Sequence, residues 1–313
     1  MTPPSGSVGE SRLHRVFIGM PVYNGCPYIE AALQSLVAQT FGDWRLLIAD
    51  NCSTDDTAAI CQRFTDADSR ITYVRHTKNE GAGYNFRYVL DAAETELFMW
   101  AAADDVWEPE FLQATVDLLD ANSLAGAAFC EFDTIDSFGQ CVRTYPSLKP
   151  FSSPPERPRD AVSNYVWTAE YMGKANVFYA LYRRLELTAA TRHLLYESSW
   201  GLDMAMVLAV MTRHPYVITN RVLFHKRQVR PTDTPGDPHA IIVPPPSPYR
   251  LTREMLPSYF TALWMATRGT PVCGMIMRIM VWRLVGTCIH TPFRLLRGLC
   301  RVKKTCCGSP EGR

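Results

Sequence analysis

The stretch that decides the fold is Phe98–Phe111, F-M-W-A-A-A-D-D-V-W-E-P-E-F. The apolar run Leu97–Ala103 predicts a buried strand, and it stops at two adjacent carboxylates, Asp104 and Asp105. A helical pattern of Phe111, Leu112, Thr115, Val116 and Leu119 begins after Pro109. A buried strand that ends in acids at the lip of a sheet is where α/β proteins place a metal or a phosphorylated ligand. Acids beside a proline also serve as turn residues and helix caps. On this stretch alone both readings stand.

The residues upstream repeat the pattern. Val16–Met20 is apolar and ends in the turn signal P-V-Y-N-G, Pro21–Gly25, after which Pro27 opens a helix bearing Ile29, Leu33, Leu36 and Val37. Leu46–Ala49 ends in Asp50 and Asn51, and Ser53–Asp56 resembles a capping box ahead of Thr57, Ile60, Cys61 and Phe64. Ile71–Val74 is a third strand, and Asn79–Gly83 turns into a helix carrying Phe86, Val89 and Leu90. Successive β-α units predict an open, mostly parallel sheet covered on both faces, with the ligand beyond the carboxyl ends of the strands. Tyr23 and Asn24, Asp50 and Asn51, and Asp104 and Asp105 all fall at such ends. Polar groups from three strand ends on one rim favour a site over a set of turns. No G-x-G-x-x-G follows the first strand and no G-K-[ST] follows Gly19 or Gly25, which argues against a nicotinamide-binding domain and a P-loop.

Composition is that of a globular chain: 313 residues, 47% hydrophobic, 20% charged, formal net charge +1. The ten cysteines lack paired metal-ligand spacing, and Met1–Arg15 has no apolar core of a signal peptide, so a reduced cytosolic compartment is expected. No nucleic-acid partner is expected. The charge is uneven, however. Met255–Pro310 holds eight Lys or Arg and no acid, leaving 24 basic and 31 acidic residues elsewhere. Within that tail, Val272–Ile289 is apolar but interrupted by Arg278 and Arg283. Each would cost roughly 2.5–3.5 kcal/mol at a bilayer centre, so a spanning helix is not expected. After Pro292, Leu295, Leu296, Leu299 and Val302 oppose Arg294, Arg297, Arg301 and Lys304. That pattern predicts a basic amphipathic helix lying on a membrane surface, or packed on the domain or on a second subunit. The expected location is cytoplasmic, or peripheral at the inner face of the membrane.

The runs I-G-M-P-V-Y-N, A-D-N-C-S-T-D-D-T, N-E-G-A-G-Y-N and A-A-A-D-D-V-W, in this order, resemble the nucleotide-sugar-binding half of family 2 glycosyltransferases, which have the GT-A fold. The resemblance spans Val16 to Leu119. It implies that Pro21, Tyr23 and Asn24 line the nucleoside pocket, that Asp50 bonds the base, and that Asn51, Ser53 and Asp55 lie beside it. It further implies that Arg75, Asn79, Gly81 and Asn85 border the nucleotide, and that Asp104 and Asp105 hold a divalent metal, Mn²⁺ or Mg²⁺. One departure stands out. Where the family commonly writes D-x-D or D-x-D-D, this chain has Ala102 in place of the leading Asp, which implies weaker metal binding or a shell completed by the nucleotide.

Further along, Ala125–Phe132 predicts another strand, with Asp133 and Asp136 just beyond it, and proline-rich Thr144–Asp160 reads as a surface loop. The runs G-K-A-N-V-F-Y-A-L-Y-R-R (Gly173–Arg184), W-G-L-D-M (Trp200–Met204) and L-F-H-K-R (Leu223–Arg227) resemble one branch of the same family and carry the likeness to about Arg230. Asp203, at the start of a helix bearing Met204, Val207, Leu208 and Met211, is the candidate general base, with Glu197 in reserve. Lys174, Arg183, Arg184, His225, Lys226 and Arg227 are the basic counterpart, with Lys174 assigned to the nucleotide-sugar; His225 is either a metal ligand or structural. The expected organisation is a flexible 1–15, a glycosyltransferase domain at 16–230 (nucleotide-sugar half 16–120, acceptor half 121–230), a proline-rich loop at 231–249, and a helical basic extension at 250–313.

The expected function is inverting transfer from a UDP-, GDP- or dTDP-sugar to a glycan or lipid-linked acceptor hydroxyl in surface glycan or glycolipid assembly. The alternatives are a non-catalytic nucleotide-sugar-binding scaffold, for which Ala102 is the hint, and a nucleotidylyltransferase. The latter would need a Gly-rich basic loop after the first strand, which Pro21–Gly25 is not.

Overall fold

The computed structural model describes residues 14–152, 158–168, 172–192, 194, 201–228 and 256–281. The first half runs β1 (Val16–Val22), α1 (Ile29–Val37), β2 (Trp44–Asp50), α2 (Thr57–Ala67), β3 (Ile71–Arg75), α3 (Ala82–Asp91), β4 (Leu97–Trp100), β5 (Val106–Trp107) and α4 (Phe111–Ala121). The second runs β6 (Ala127–Ile135), β7 (Cys141–Thr144), α5 (Pro158–Trp167), a 3-10 turn at Lys174–Tyr179, β8 (Leu181–Arg183), α6 (Arg184–Thr191), α7 (Leu202–Met211), β9 (Tyr216–Arg227) and α8 (Leu256–Thr267). A further helical stretch covers 273–281.

β1, β2 and β4 are near-continuous buried runs, as parallel strands covered on both faces are, whereas the edge strand β3 buries only Ile71. They pair in parallel in the order β3-β2-β1-β4. The crossover direction reverses between β1 and β4, which opens a crevice at the carboxyl ends of these two strands. The register places Val22, Asp50 and Arg75 in one row along that rim. Gly19 lets α3 approach β1: a Cβ there would lie 2.7 Å from a methyl of Val89. The helical faces fall largely where periodicity put them, with Ile29, Leu33 and Leu36, then Ile60 and Cys61, then Phe111, Leu112, Thr115, Val116 and Leu119 all buried, whereas Val37, expected on the first face, is exposed at the end of α1.

Three expectations need correction. The strand expected to reach Ala103 ends at Trp100. The amide of Ala101 makes a last bond to the Gly19 carbonyl, and three alanines then form the loop that delivers Asp104. Second, the sheet is not parallel throughout: antiparallel β8 sits between β4 and β6, and the order continues β4-β8-β6-β9-β5, so among the described residues both halves share one nine-stranded mixed sheet. Third, Thr144–Asp160 is not loop throughout. Phe151 is buried in a 3-10 turn, and Pro158 opens α5, which buries Ala161, Val162, Tyr165 and Val166.

The described part of the basic extension is packed rather than free. Ala262, Leu263, Ala266, Val272, Ile276, Ile279 and Met280 are buried in the core, and Arg213 donates to the Ala266 carbonyl at 3.0 Å. Among the described residues no helix is long and apolar enough to cross a membrane. The amphipathic pattern after Pro292, the proline-rich 231–249, Glu197 and Trp200 lie outside the described residues.

Candidate active site

On the rim of β1, β2 and β3 the expected nucleotide residues form a hydrogen-bonded frame. Asp50 is fully buried: Oδ1 accepts from the Ser53 amide at 2.8 Å and hydroxyl at 2.6 Å, and Oδ2 accepts from the Tyr73 hydroxyl at 2.6 Å. The Arg75 guanidinium lies 3.5 Å from Asp50 and donates to the Ser53 carbonyl at 2.7 Å. Asn24, in the left-handed region at φ 52°, receives the Thr54 amide on its side-chain oxygen and gives its own amide to the Ser53 hydroxyl. The capping box is replaced by a different device. Asp55 accepts from the amide and hydroxyl of Thr57 and from the Cys26 amide, tying the β1–α1 loop to the start of α2.

Asn51 and Asn79 join across the rim at 2.8 Å, and Asn79 also accepts the Gly81 amide, where φ is +89°. Asn85, expected to border the nucleotide, is buried instead and braces strand ends. Its amide donates to the Ala49 carbonyl at 2.7 Å and the Val22 carbonyl at 3.4 Å, while His76 bonds its oxygen at 3.0 Å. What the frame leaves to a ligand are Tyr23 and the Arg75 side chain, both about half exposed at 49% and 48%, with Pro21 partly covered between.

Across the crevice the two acids take different places. Asp105 is fully buried; both of its oxygens accept from the Lys226 ammonium, at 3.0 and 3.1 Å, and one also accepts the Arg227 amide at 2.9 Å. Burial pushes the Asp105 carboxyl up, and the Lys226 charge pulls it back. For Lys226 burial works against the ammonium, but Asp105 and Asp104 more than reverse it, so the lysine stays charged. Asp104 keeps 45% of its side chain exposed, with Lys226 at 3.6 Å, while the Arg227 guanidinium holds the Asp104 and Asp136 carbonyls. β5 and β9 enforce this placement, pairing Val106 with His225 and Trp107 with Phe224. Lys226, placed by the sequence only among the basic counterpart, is the one of that group whose side chain meets both carboxylates. Its signal was its position at the end of an apolar strand, as for the two acids.

The second set of residues comes from the 3-10 turn and α7. Gly173 starts the turn at φ 78°, where a Cβ would lie 2.6 Å from the Phe132 ring. Lys174, expected at the nucleotide-sugar, is fully buried and donates to the Tyr165 and Thr168 carbonyls at 3.1 and 2.6 Å, so its ammonium closes the end of α5. Arg183 and Arg184 likewise serve structure, binding the carbonyls of Ala125 and Leu119 and of Thr95. Asp203 follows Gly201 (φ 84°) in the first turn of α7 and accepts the Met204 amide at 2.8 Å. Burial raises its pKa, against the pull of that amide. Tyr179, at the end of the turn, has the Lys226 ammonium 5.6 Å from its ring centroid, and Lys226 in turn faces Asp105 and Asp104.

His225 points elsewhere. Its Nδ1 lies 2.6 Å from Asp133 and its Nε2 2.9 Å from Glu108, so both nitrogens are engaged by carboxylates. Among the described residues no three His, Cys, Asp or Glu side chains converge as a metal centre. A divalent ion fits at one residue: Asp104 offers a partly exposed carboxylate, whereas the Asp105 oxygens are taken by Lys226 and Arg227. Mg²⁺ and Mn²⁺ are commonly held by one or two carboxylates together with substrate phosphates.

The family model of glycosyl transferase family 2 matches residues 17–178. The chain is 31% identical over 105 residues to a putative teichuronic acid biosynthesis glycosyltransferase of Bacillus subtilis, covering 34% of this chain and 42% of that protein. It is 29% identical over 110 residues to an Escherichia coli enzyme described as a UDP-Glc:α-D-GlcNAc-diphosphoundecaprenol β-1,3-glucosyltransferase, covering 35% and 43%. The chain therefore spans less than half the length of these curated relatives. In fold it is similar to Staphylococcus aureus TarS 1-349, with a TM-score of 0.61, 15% identity, and coverage of 85% of this chain and 69% of that one. With more than half of its length matched by the family model, the chain belongs to glycosyl transferase family 2 and has the GT-A fold.

Proposed function

We propose that the protein is an inverting glycosyltransferase that moves a sugar from a nucleotide-diphosphate donor to an acceptor hydroxyl. The observation that carries this reading is the pairing of Lys226 with Asp104 and Asp105 in the loop after β4, on the sheet whose neighbouring strand ends are framed by Asp50 and Arg75. A donor lying in the β1–β4 crevice puts its nucleoside against Tyr23 and Arg75 and its diphosphate at Asp104 and Lys226. Asp50, with every described bond already to protein, acts by holding Arg75, Ser53 and Tyr73 in place.

The acceptor oxygen attacks the anomeric carbon from the side of α7, the bond from that carbon to the diphosphate oxygen breaks, and the nucleoside diphosphate leaves with the electron pair. Asp203 takes the acceptor proton. Its burial suits the task, since a carboxylate with a raised pKa is a better base near neutral pH. Asp104 would hold Mn²⁺ or Mg²⁺ together with the donor phosphates; when bound, the ion neutralises charge developing on the leaving group. Lys226 supplies one fixed positive charge beside it.

The Escherichia coli relative is named for a lipid-diphosphate acceptor. A lipid-linked acceptor at the cytoplasmic face of a membrane, in surface glycan assembly, fits the basic extension of this chain. Thermal shifts with UDP, GDP and dTDP and their sugars, each with and without Mn²⁺, test the donor reading. Stabilisation by one nucleotide family is expected, and no stabilisation by any of them would overturn it.

A further inference from the structure

The turn that presents Asp104 is built from residues that anchor it weakly. Ala101, Ala102 and Ala103 carry no polar side chain, and the bond across the turn, from the Asp105 amide to the Ala102 carbonyl, is 3.4 Å long. Placement of the Asp104 carboxylate therefore depends on contacts from outside the loop. Lys226 grips the carboxylates, and Arg227 grips the backbone. The Arg227 amide donates to the Asp105 side chain at 2.9 Å, and its Nε donates to the Asp104 carbonyl at 2.9 Å.

The same guanidinium reaches two more loops of the rim. Its Nη1 donates to the Asp136 carbonyl in the β6–β7 turn at 2.6 Å, and the group lies 4.9 Å from the centroid of the Tyr28 ring, where the β1–α1 loop enters its helix. That loop carries Tyr23 and Asn24 and runs beside the Asp104 turn: a Cβ on Gly25 would lie 3.5 Å from that of Ala103. Arg227 is itself fixed at the end of β9, in register with Ile135 of β6, whose carbonyl accepts the next amide, of Gln228, at 2.8 Å. It is only 7% exposed, so its charge faces carbonyls and an aromatic ring rather than solvent. A planar guanidinium with five N–H donors in a rigid fork can hold carbonyls of two loops at once, which a lysine cannot.

We infer that Arg227 is a positioning residue for the donor: it clamps the loops after β1, β4 and β6 and so sets the Asp104 carboxylate at a fixed distance from the nucleoside side of the crevice. This rests on the donor reading above. Arg227 acts through Asp104, not on the donor itself. Groups that orient a metal-binding carboxylate contribute about 10- to 100-fold to the affinity for the ion. The span from nucleoside to diphosphate is fixed by the donor's own bonds. A loop free to shift therefore loses the contact with ion and phosphates and keeps the contact with the nucleoside.

The test is calorimetric titration of the full chain, as wild type, Arg227→Lys and Arg227→Gln, with UDP, GDP and dTDP, each with and without Mn²⁺. Arg227→Lys keeps the charge and reaches one carbonyl but not both, so it is the variant expected to keep the fold. For the nucleotide that binds wild type, the enhancement by Mn²⁺ should fall about tenfold or more in Arg227→Lys, and further in Arg227→Gln, while affinity without Mn²⁺ stays within about twofold. Tyr28→Leu, which removes the ring but leaves Arg227 itself, should lose a smaller part of the same enhancement. Should both Arg227 variants fail to fold, Tyr28→Leu decides by the same criterion. A full Mn²⁺ enhancement in the variants, or equal weakening with and without Mn²⁺ as a merely structural role predicts, would overturn the inference with the donor reading intact. So would wild type that binds a nucleoside diphosphate with no gain from Mn²⁺. Wild type that binds no nucleoside diphosphate would overturn both.

Discussion

The Lys226 ammonium lies 3.0 and 3.1 Å from the two carboxylate oxygens of Asp105, binding the end of β9 to the loop that leaves β4. Asp105 is fully buried and Lys226 has 27% of its side chain exposed, so the pair works in a partly dry interior. Removing one partner strands a buried charge. Lys226→Met is expected to destabilise the protein by about 3–5 kcal/mol in urea unfolding, and Lys226→Met combined with Asp105→Asn to recover most of that. A single variant within about 1 kcal/mol of wild type would show that the pair does not hold the loop.

The same pair bears on the metal. Asp104 and Asp105 already face the positive charge of Lys226, and Ala102 offers no further carboxylate. Mn²⁺ alone should therefore leave the melting temperature unchanged, whereas Mn²⁺ with a nucleoside diphosphate should raise it more than the nucleotide does. Asp104→Asn should abolish the metal-dependent part. Ala102→Asp should allow Mn²⁺ to bind without nucleotide, about tenfold tighter than wild type, because a second free carboxylate then faces it. A large shift of wild type with Mn²⁺ alone would contradict this charge balance.

How much of this was legible in the sequence follows from the distance between partners. The strand-end acids, the helical faces and the order of the first four strands are local patterns, and they stand in the structure where periodicity and turn residues put them. The roles of the polar residues are not local. Asp105 and Lys226 are 121 residues apart, and Asn85 braces a carbonyl 36 residues away, so neither bond leaves a mark within a window of sequence. Lys174 reads as a ligand because its G-K-A-N run resembles one in the family, but its ammonium lies at the carbonyl end of α5. That helix was itself hidden, since the prolines that mark a loop also include the one that opens α5. The three alanines after Trp100 look like strand because nothing in alanine distinguishes a strand end from a loop.

His225 supplies a test on pH. Burial alone would lower the pKa of its imidazole, but hydrogen bonds to Asp133 and Glu108 outweigh that and raise it above 6.5. A histidine whose folded pKa is raised contributes stability that is fully present below its unfolded pKa and is lost as pH rises through the folded value. Wild type should thus exceed His225→Gln by about 1–3 kcal/mol near pH 6 and by progressively less into the alkaline range. The check is urea unfolding of both proteins across that range. A pH-independent difference would mean that the imidazole is neutral between its two carboxylates.

Asp203 combines activity and stability in one residue. On the proposed role as base, its loss in Asp203→Asn should lower the rate of transfer by about 10²- to 10⁴-fold, with donor binding unchanged because the nucleotide side of the crevice is untouched. Burial raises the Asp203 pKa, so keeping the carboxylate ionised costs stability at any pH above its folded value. Asp203→Asn removes that cost while its side-chain oxygen still accepts the Met204 amide. The variant should therefore melt higher than wild type at neutral pH, and the gain should vanish below about pH 4, where the carboxyl is protonated in both folded and unfolded chains. A residue kept for the fold alone would show the opposite order, with the variant less stable and transfer preserved. Melting curves and single-turnover rates on the same preparation decide between the two, because a group kept for catalysis trades stability for activity and a group kept for the fold does not.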